Sequence, residues 1–291
     1  MARFVIKTWN CFGAAQTAAA FLRRRGAPDT HRFGVAELAT TIQEADVVCM
    51  QELFLADAEG FFDSLSHPHK VRDENVSRWW PPTFGGSGLG VASRFPIISR
   101  KVRPFDRPHL GTERFARKGM LHVRVHVSGD ADLSADIITT HMQSGYGGDA
   151  MRVRRRQIEQ LRAFVEEVQD EHRPFIICGD LNIDGLTPAR AEGEYAFLRD
   201  QLSDFEDLGA PDDHPTFHPD PEVNELAHRF EAASPRQRID YMLFRRPRPG
   251  RSPLLRAIEC VLSLRDPFHV HGRGRTFASD HFAVKAVFEH A

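Results

Sequence analysis

The chain has 291 residues, of which 41% are hydrophobic and 27% are charged. This composition supports a sizeable buried core and excludes an intrinsically disordered chain. The 38 Lys and Arg residues nearly balance the 40 Asp and Glu residues, which gives a formal net charge of -2. A protein that coats nucleic acid through a general positive field is therefore disfavoured.

The chain contains four cysteines, Cys11, Cys49, Cys178 and Cys260. They lack the paired spacing that builds a zinc site or a disulfide framework, so we expect reduced, mostly buried thiols. The N-terminus has no apolar signal core, and no stretch reaches the ~20 apolar residues that span a bilayer. We expect a soluble, cytoplasmic protein, with secretion through a signal removed upstream as the alternative.

Short β-branched runs predict strands. In chain order these are residues 4–8, 47–50, 89–92, 121–127, 136–140, 175–178, 239–244 and 282–288. Apolar residues at helical spacing predict amphipathic helices through residues 35–42 and 151–168. Proline-rich stretches at 103–108 and 246–250 are interpreted as surface loops. Because helix-linked strands alternate with directly linked strand pairs, the order favours packed mixed sheets flanked by helices.

Polar side chains stand where the predicted strands begin or end. They are Asn10, Glu52, His141, Asp180, Asn182, Asp240, Asp280 and His281. Taken singly, such an Asn or Asp is more often a turn former or helix cap, and a lone His is more often structural than catalytic. Their repetition at strand ends, where a side chain is held rigidly at a pocket mouth, favours one shared site.

The residue types at these positions point to a hard metal ion and phosphate-ester chemistry. Glu52 and Asn10 offer the carboxylate and amide oxygens that Mg²⁺ prefers, and the lack of a Cys/His cluster argues against Zn²⁺. Mn²⁺ or another divalent cation is the alternative. His281 can take a proton from an attacking water if a carboxylate such as Asp240 fixes its tautomer. The metal and His141 can then stabilise charge on the phosphoryl oxygens.

Six short motifs run from residue 8 to residue 281 of the chain. They are Thr8-Trp-Asn-Cys11, Met50-Gln-Glu52, Thr140-His-Met-Gln143, Gly179-Asp-Leu-Asn182, Arg238-Ile-Asp-Tyr241 and Ser279-Asp-His281. In this order they resemble the motifs of the endonuclease/exonuclease/phosphatase superfamily, the DNase I-like enzymes. The resemblance implies an α/β (α+β) fold, a four-layer α/β/β/α sandwich of two mixed sheets, in one catalytic domain covering residues 1–291.

The resemblance also implies a role for each matching residue. Glu52 resembles the principal metal ligand with Asn10 beside it, and Asp280 resembles either a further ligand or a supporting residue. His281 resembles the general base, with Asp240 supporting it. Asp180 and Asn182 resemble the pair that would position the water and a phosphoryl oxygen. His141 resembles the histidine that would stabilise the transition state or assist the leaving alkoxide.

Within that superfamily the chain is most similar to the Mg²⁺-dependent neutral sphingomyelinases. The similarity rests on residues 86–96, on Arg117-Lys-Gly-Met-Leu121, on Thr140-His-Met-Gln-Ser144 and on the 238–243 segment. It implies hydrolysis of sphingomyelin to ceramide and phosphocholine, with a phospholipid substrate at a membrane surface. A nuclease or a phosphoinositide phosphatase with the same site is the alternative, and a non-catalytic scaffold is a third. Because the arginines form only local clusters and the chain has no general positive charge, a phospholipid substrate is preferred to nucleic acid.

Three further features are interpreted, the first two of them with an alternative. Trp79 and Trp80 are interpreted as core or loop packing, with an interfacial aromatic anchor as the alternative. The arginines of the 152–156 segment are interpreted as a solvated helix face paired with glutamates, with phosphate binding as the alternative. The basic and histidine-rich residues 269–275 are interpreted as lining the entrance to the site.

Overall fold

The computed structural model describes residues 3–14, 29–73, 86–106, 109–111, 113, 116–127, 133–187, 193–209, 212–248, 255–272 and 274–290. Trp79 and Trp80 lie outside these residues. Within them, two six-stranded sheets carry the fold. A separate two-stranded hairpin is formed by the strands Phe268–Val270 and Gly274–Thr276, which are β12 and β13.

The first sheet contains the N-terminal and C-terminal strands. Its strands are β1 (Arg3–Asn10), β2 (Val47–Gln51), β3 (His69–Arg72), β4 (Gly90–Ser93), β11 (Leu255–Ser263) and β14 (Ala283–His290). They are ordered β11-β14-β1-β2-β4-β3. The pair β1 and β2 is parallel, and the other neighbours are antiparallel.

The second sheet is built from the middle of the chain. Its strands are β5 (Ile97–Pro104), β6 (Gly119–His126), β7 (Ser134–His141), β8 (Phe175–Asp180), β9 (Glu206–Asp207) and β10 (Asp240–Arg245). They are ordered β5-β6-β7-β8-β10-β9, and only β7 and β8 pair in parallel.

Helices cover the outer face of each sheet. They are a short 3-10 helix (Thr30–Gly34), α1 (Ala36–Gln43), α2 (Ala56–Ser64), α3 (Gly148–Val168), α4 (Gly193–Gln201) and α5 (Glu225–Glu231). The helices α1 and α2 pack on the first sheet, and α3 and α4 pack on the second. Within the described part of the chain, no helix has the length and apolar character that a membrane span requires.

Burial on both faces of the inner strands explains the layered packing. In β2 the side chains of Val47 and Cys49 enter the core between the sheets, while Val48 and Met50 enter the core under α1 and α2. Successive side chains of a strand point to opposite faces, so a continuous apolar run fills both cores. The fold is therefore the four-layer α/β/β/α sandwich that the motif resemblance implies, and this expectation is confirmed.

The eight strand segments predicted from the sequence all coincide with or overlap observed strands. Among the observed strands, the edge strands β3, β5, β9 and β11 and the hairpin strands β12 and β13 were not predicted. Edge strands expose much of their surface, so their sequences lack the continuous apolar run of an inner strand. The interpretation of residues 103–108 as a loop is wrong at its start, because Arg103 and Pro104 end β5. Proline is tolerated there because an edge strand has one unpaired side.

Candidate active site

Polar residues from both sheets meet at one end of the sandwich. The register places Asn10 beside Gln51 at the ends of the parallel strands β1 and β2. In the second sheet it places Asp180 between His141 of β7 and Asp240 of β10. Because the sheets pack face to face, these strand ends bring the predicted site residues together.

Asn10 links the two sheets through its side-chain amide. Its Nδ2 atom donates to Glu52 Oε1 at 3.2 Å and to Asp180 Oδ2 at 3.0 Å. Its Oδ1 atom accepts from the backbone N–H of Phe12 at 3.0 Å, which fixes the orientation of the amide. Asn10 is therefore a cross-link between the two sheets as well as a neighbour of the predicted metal ligand.

Glu52 carries a buried carboxylate with an unused oxygen. It follows β2 directly, with a backbone φ of 64°, a left-handed conformation that is uncommon for a residue with a side chain. Its Oε2 atom is buried and has no hydrogen-bond partner in the described structure. Burial, followed by the nearby Asp280 carboxylate, raises the pKa of Glu52 to about 7. A buried carboxylate of this kind is suited to a cation.

His281 and Asp240 form a buried hydrogen-bonded pair. The distance between His281 Nδ1 and Asp240 Oδ2 is 2.8 Å, and the imidazole lies against the ring of Phe217 at a centroid distance of 5.5 Å. Burial opposes a positive charge on the imidazole, but the Asp240 and Asp280 carboxylates outweigh burial and raise the pKa of His281 well above its ordinary value. Asp240 therefore fixes the tautomer that leaves Nε2 free for proton exchange when the ring is neutral.

His141 is held by a lysine from the neighbouring strand region. Lys118 Nζ lies 2.9 Å from His141 Nε2 and 2.7 Å from the carbonyl oxygen of Met142, and it also contacts Glu113 Oε1. Burial and then the Lys118 charge lower the pKa of His141 well below its ordinary value. Because an ammonium group only donates, Nε2 accepts and the ring proton resides on Nδ1, which is buried without a partner in the described structure.

Asp180 is the last residue of β8, and Asn182 lies in the turn that follows it. Asp180 Oδ2 lies 3.4 Å from His141 Nε2 and 4.0 Å from His281 Nε2, and burial raises the pKa of Asp180 to about 6. The backbone N–H of Asn182 donates to Asp180 Oδ1 at 2.9 Å. A Cβ atom at the preceding Gly179 would come within 2.1 Å of a backbone oxygen of β7, so this position requires glycine.

Asp280 is the last of the predicted site residues to be placed, and it lies shortly before β14. Ser279 Oγ lies 2.9 Å from Asp280 Oδ1 and 2.7 Å from the carbonyl oxygen of Asn10. Asn224 Nδ2 donates to the carbonyl oxygens of Ser279 and Asp280 at 3.0 and 3.2 Å. Burial raises the pKa of Asp280 although the neighbouring His281 charge opposes the rise, so nearby positive charge stabilises this carboxylate.

A cavity of about 260 Å³ opens above these residues. Five of the predicted site residues line it, namely Glu52, His141, Asn182, Asp280 and His281. The other three, Asn10, Asp180 and Asp240, lie beneath and are buried. The structure therefore brings all eight predicted residues to one pocket.

The donor set fits a divalent cation. Among the described residues, one group of three His or carboxylate ligand atoms lies within 4.8 Å, formed by Asp180, Asp240 and His281. Two of its members already satisfy each other through the hydrogen bond between the imidazole and Asp240. The unpartnered oxygen of Glu52, near Asp280, is the better place for an ion, because Mg²⁺ takes few protein oxygens and retains water.

Sequence reasoning gave no role to two buried arginines that support the site. Arg32 donates to the carbonyl oxygens of Cys11 and Phe12, each at 2.8 Å, and so anchors the segment after β1. Arg238 pairs with Asp207 at 2.8 Å. A buried arginine has no distinctive sequence signal, although Arg238 lies within one of the quoted motifs.

Two interpretations of the basic segments need correction. Arg154 is not on a solvated face: it is 3% exposed, and its guanidinium makes two contacts with Glu194, at 2.8 and 2.6 Å. It points inward because α3 packs against α4 on that side. Of the 269–275 segment, Arg275 lines a separate cleft beside β12 and β13 and not the site pocket. Cys11, Cys49 and Cys178 are buried free thiols, as expected.

Known proteins share this sequence pattern and fold. The chain is 31% identical over 162 residues to sphingomyelin phosphodiesterase 5 of Danio rerio, covering 49% of this chain and 29% of that protein. The chain spans less than a third of the length of the curated relatives it matches. Sphingomyelinase C from Streptomyces griseocarneus aligns with a TM-score of 0.72 at 23% identity, covering 99% of both chains.

Two further solved structures have the same fold. A variant of beta toxin from Staphylococcus aureus with bound magnesium ions aligns with a TM-score of 0.70 at 17% identity, covering 98% of this chain and 99% of that chain. Danio rerio TDP2 with a single strand DNA product aligns with a TM-score of 0.70 at 17% identity, covering 99% and 100%. At these identities the alignments establish the fold alone. A family model that spans residues 8–281 matches the sequence, and the chain belongs to the endonuclease/exonuclease/phosphatase family.

Proposed function

We propose that the chain is one catalytic domain of a metal-dependent phosphodiesterase that hydrolyses a phospholipid at a membrane surface. Sphingomyelin is the preferred substrate of this proposal, with ceramide and phosphocholine as products. The observation that carries it is the pairing of His281 with Asp240 at the pocket that Glu52 also lines. Family membership supports the hydrolysis of a phosphate ester.

Glu52, Asn10 and Asp280 would hold the divalent cation. Their oxygens are hard ligands, and one oxygen of Glu52 has no partner in the described structure. When bound, the ion supplies Lewis-acid stabilisation of charge on the phosphoryl oxygens. Mg²⁺ is the ion we propose, supported by the magnesium-bound structure of the same fold.

His281 takes the proton of the attacking water at Nε2. Asp240 holds the opposite ring nitrogen at 2.8 Å, so the imidazole cannot rotate away from the pocket. The water oxygen bonds to phosphorus as the bond to the lipid oxygen breaks. The leaving alkoxide takes a proton from solvent, and His281 later releases to solvent the proton that it took from the attacking water. The Asp240 and Asp280 carboxylates favour a protonated His281, and a cation held by Glu52 and Asp280 would oppose that protonation.

The neighbouring residues position the water and the phosphate. Asp180 and Asn182 are joined by a 2.9 Å hydrogen bond and present an acceptor and an amide at the foot of the pocket. His141, neutral and with its proton on Nδ1, can donate to a phosphoryl oxygen as negative charge develops there. Lys118 keeps this tautomer by donating to Nε2 at 2.9 Å.

The lipid substrate rests on sequence similarity and on charge. The alignment with sphingomyelin phosphodiesterase 5 of Danio rerio supports a sphingomyelin-type substrate. The formal net charge of -2 disfavours a polyanion such as DNA. A nucleic acid or a phosphoinositide remains the second candidate, because the fold of the DNA-bound TDP2 aligns equally well over the chain.

Release of phosphocholine from mixed micelles of sphingomyelin tests this proposal. We expect Mg²⁺-dependent release that a chelator stops and that His281→Gln abolishes. Plasmid DNA and a phosphoinositide, assayed in the same preparation, measure the competing activities. Faster cleavage of either competitor would overturn the lipid assignment, and no cleavage of any phosphodiester with several divalent cations would overturn the enzyme.

A further inference from the structure

The mouth of the site pocket is acidic and aromatic. Four carboxylates line the pocket, Glu52, Glu113, Glu231 and Asp280. No lysine or arginine is among the described residues that line it. Three aromatic rings also face the cavity, those of Phe12, Tyr146 and Phe217.

Three of these four carboxylates already have a role or a partner. Glu52 is assigned to the cation site together with Asp280. Glu113 contacts Lys118 and accepts from the backbone N–H of Ser144 at 3.1 Å. His141 and Glu52 line the pocket, and one polar atom of each, His141 Nδ1 and Glu52 Oε2, is buried without a hydrogen-bond partner in the described structure, which favours a ligand there.

Glu231 is the carboxylate that remains. It ends α5 and is exposed, and its Oε2 atom accepts from Ser234 Oγ at 3.0 Å. Within the described residues it forms no ion pair with a lysine or an arginine. Arg154 donates to the carbonyl oxygen of Gly145, which lines the pocket, but its charge is paired with Glu194 at 2.6 Å.

Tyr146 provides an open aromatic face at the same mouth. Its side chain is 60% exposed although its hydroxyl is fixed by donation to Gln237 Oε1 at 2.9 Å. An exposed ring tethered in this way presents a preformed surface. Phe230, the residue before Glu231 on α5, is 39% exposed and packs edge-on against Phe12, which lines the pocket, at a centroid distance of 5.3 Å.

We propose that Glu231 and Tyr146 form a head-group subsite that selects substrates with a quaternary ammonium group. A quaternary ammonium has no N–H to donate, so it is recognised by aromatic faces and by the field of a nearby carboxylate. Both are present at the mouth, next to the atoms assigned to the phosphate. The inference rests on the proposed phosphodiesterase function and adds the residues that set its specificity.

The same subsite disfavours anionic head groups. A second phosphate at the mouth would meet the Glu231 carboxylate with no lysine or arginine among the described lining residues to neutralise it. Repulsion between like charges in a partly enclosed pocket opposes such binding. The subsite therefore separates a choline lipid from a nucleic acid or a phosphoinositide, which the shared fold does not.

Two chromogenic diesters with the same leaving group test the subsite. p-Nitrophenyl phosphocholine carries the ammonium group, and methyl p-nitrophenyl phosphate lacks it. We expect a preference in kcat/KM of about tenfold or more for the choline diester. Glu231→Gln and Tyr146→Leu should each reduce this ratio several-fold through a higher KM, whereas Tyr146→Phe, which keeps the ring, should retain most of it.

Glu225→Gln is the matched control, because Glu225 is exposed on the same helix and pairs with Arg229 away from the pocket. Equal ratios in the wild type and in the Glu231 and Tyr146 variants would overturn the subsite while leaving the phosphodiesterase intact. If neither diester is hydrolysed, release of phosphocholine from sphingomyelin still decides the proposed function. The subsite is then tested separately by the affinity for tetramethylammonium, which NMR titration measures for the wild type and for Glu231→Gln. Equal affinity in the two proteins would overturn the subsite.

Discussion

Asp240 and His281 stand opposite each other across the two sheets, joined by a 2.8 Å hydrogen bond between Oδ2 and Nδ1. Asp240 begins β10 in the second sheet, and His281 lies just before β14 in the first. The pair therefore depends on how the sheets pack. It couples the stability of the sandwich to the orientation of the proposed base.

His281→Gln and Asp240→Asn test this pair. Loss of the imidazole removes the proton acceptor, and loss of the carboxylate removes the group that fixes its tautomer. We expect kcat to fall by about 10²–10⁴ in each variant. Steady-state assay of one diester substrate measures the effect, with thermal melting as the check on folding. A folded His281→Gln variant with wild-type kcat would remove His281 from the mechanism.

Glu52→Gln tests the proposed cation site. The substitution keeps the shape of the side chain and removes the charge that would attract the ion. We expect activity to require at least about tenfold more Mg²⁺. Mg²⁺ should also raise the Tm of the wild type, because ligand at about 100 times Kd adds about 2.7 kcal/mol of stability. A chelator should reverse this rise.

The exposed Glu37 of α1 supplies the control substitution for that experiment. Glu37→Gln should keep the wild-type Mg²⁺ requirement and the wild-type change in Tm. An unchanged Mg²⁺ requirement in Glu52→Gln would show that other groups hold the ion. Asp180 and Asp240 would then become the next candidates.

Strand ends were predictable because an inner strand is a continuous apolar run that stops at a polar residue. Asn10 and Asp180 were both identified in this way. Their 3.0 Å contact was not predictable from local pattern, because 170 residues separate them and the sheet packing alone brings them together. The edge strands β5 and β11 were missed for the related reason that exposure on one side interrupts the apolar pattern.

The supporting residues of the site were harder to recognise than its polar centre. Lys118 was noted for its resemblance to sphingomyelinases, yet its contact with His141 depends on β6 and β7 lying side by side. Arg32 is fully buried and bonds carbonyl oxygens near residue 12. An arginine that serves backbone oxygens follows no residue spacing, so only the folded chain reveals it.

Lys118→Met should impair catalysis through His141. Without the ammonium donor at Nε2, the ring proton is no longer confined to Nδ1, and the Glu113 carboxylate loses its partner. We expect kcat/KM to fall by about 10–100-fold, which is the usual effect of removing a residue that orients a site histidine through a hydrogen bond. Lys101→Met, which removes a lysine that pairs with Glu167 on the surface, should leave kcat/KM unchanged. Equal activity in the two variants would contradict the role of Lys118.

Acid should destabilise the protein partly through His67. Its Nε2 atom donates to the carbonyl oxygen of Ala45 at 2.9 Å, and burial lowers the pKa of His67 below its ordinary value. Below about pH 6.5 the unfolded chain binds a proton at this residue that the folded chain does not, so stability falls as pH falls. Urea unfolding at pH 7.5 and 5.5 should show a smaller loss for His67→Gln, which cannot titrate. An identical loss in both proteins would exclude His67 as a contributor.

We expect the stability of the protein to depend more on the buried ion pair of Arg238 and Asp207 than on an exposed ion pair. The guanidinium makes two contacts with Asp207, at 3.1 and 2.8 Å, and lies 4.7 Å from the centre of the Tyr241 ring. Asp207→Asn leaves a buried, uncompensated charge, which costs about 3–5 kcal/mol. Arg238 lies two residues before Asp240, so relaxation there also disturbs the residue that orients the base.

Urea unfolding measures the loss, and an exposed pair on α3 is the matched comparison. Arg162 and Glu166 are one helical turn apart with an N–O distance of 2.9 Å, so Glu166→Gln should cost less than about 1 kcal/mol. We expect Asp207→Asn to lower the free energy of unfolding several times more than Glu166→Gln and to reduce kcat as well. Equal, small losses in the two variants would mean that the turn after β8 is held by its other contacts, such as the 2.6 Å bond from the Tyr241 hydroxyl to the carbonyl oxygen of Ile183.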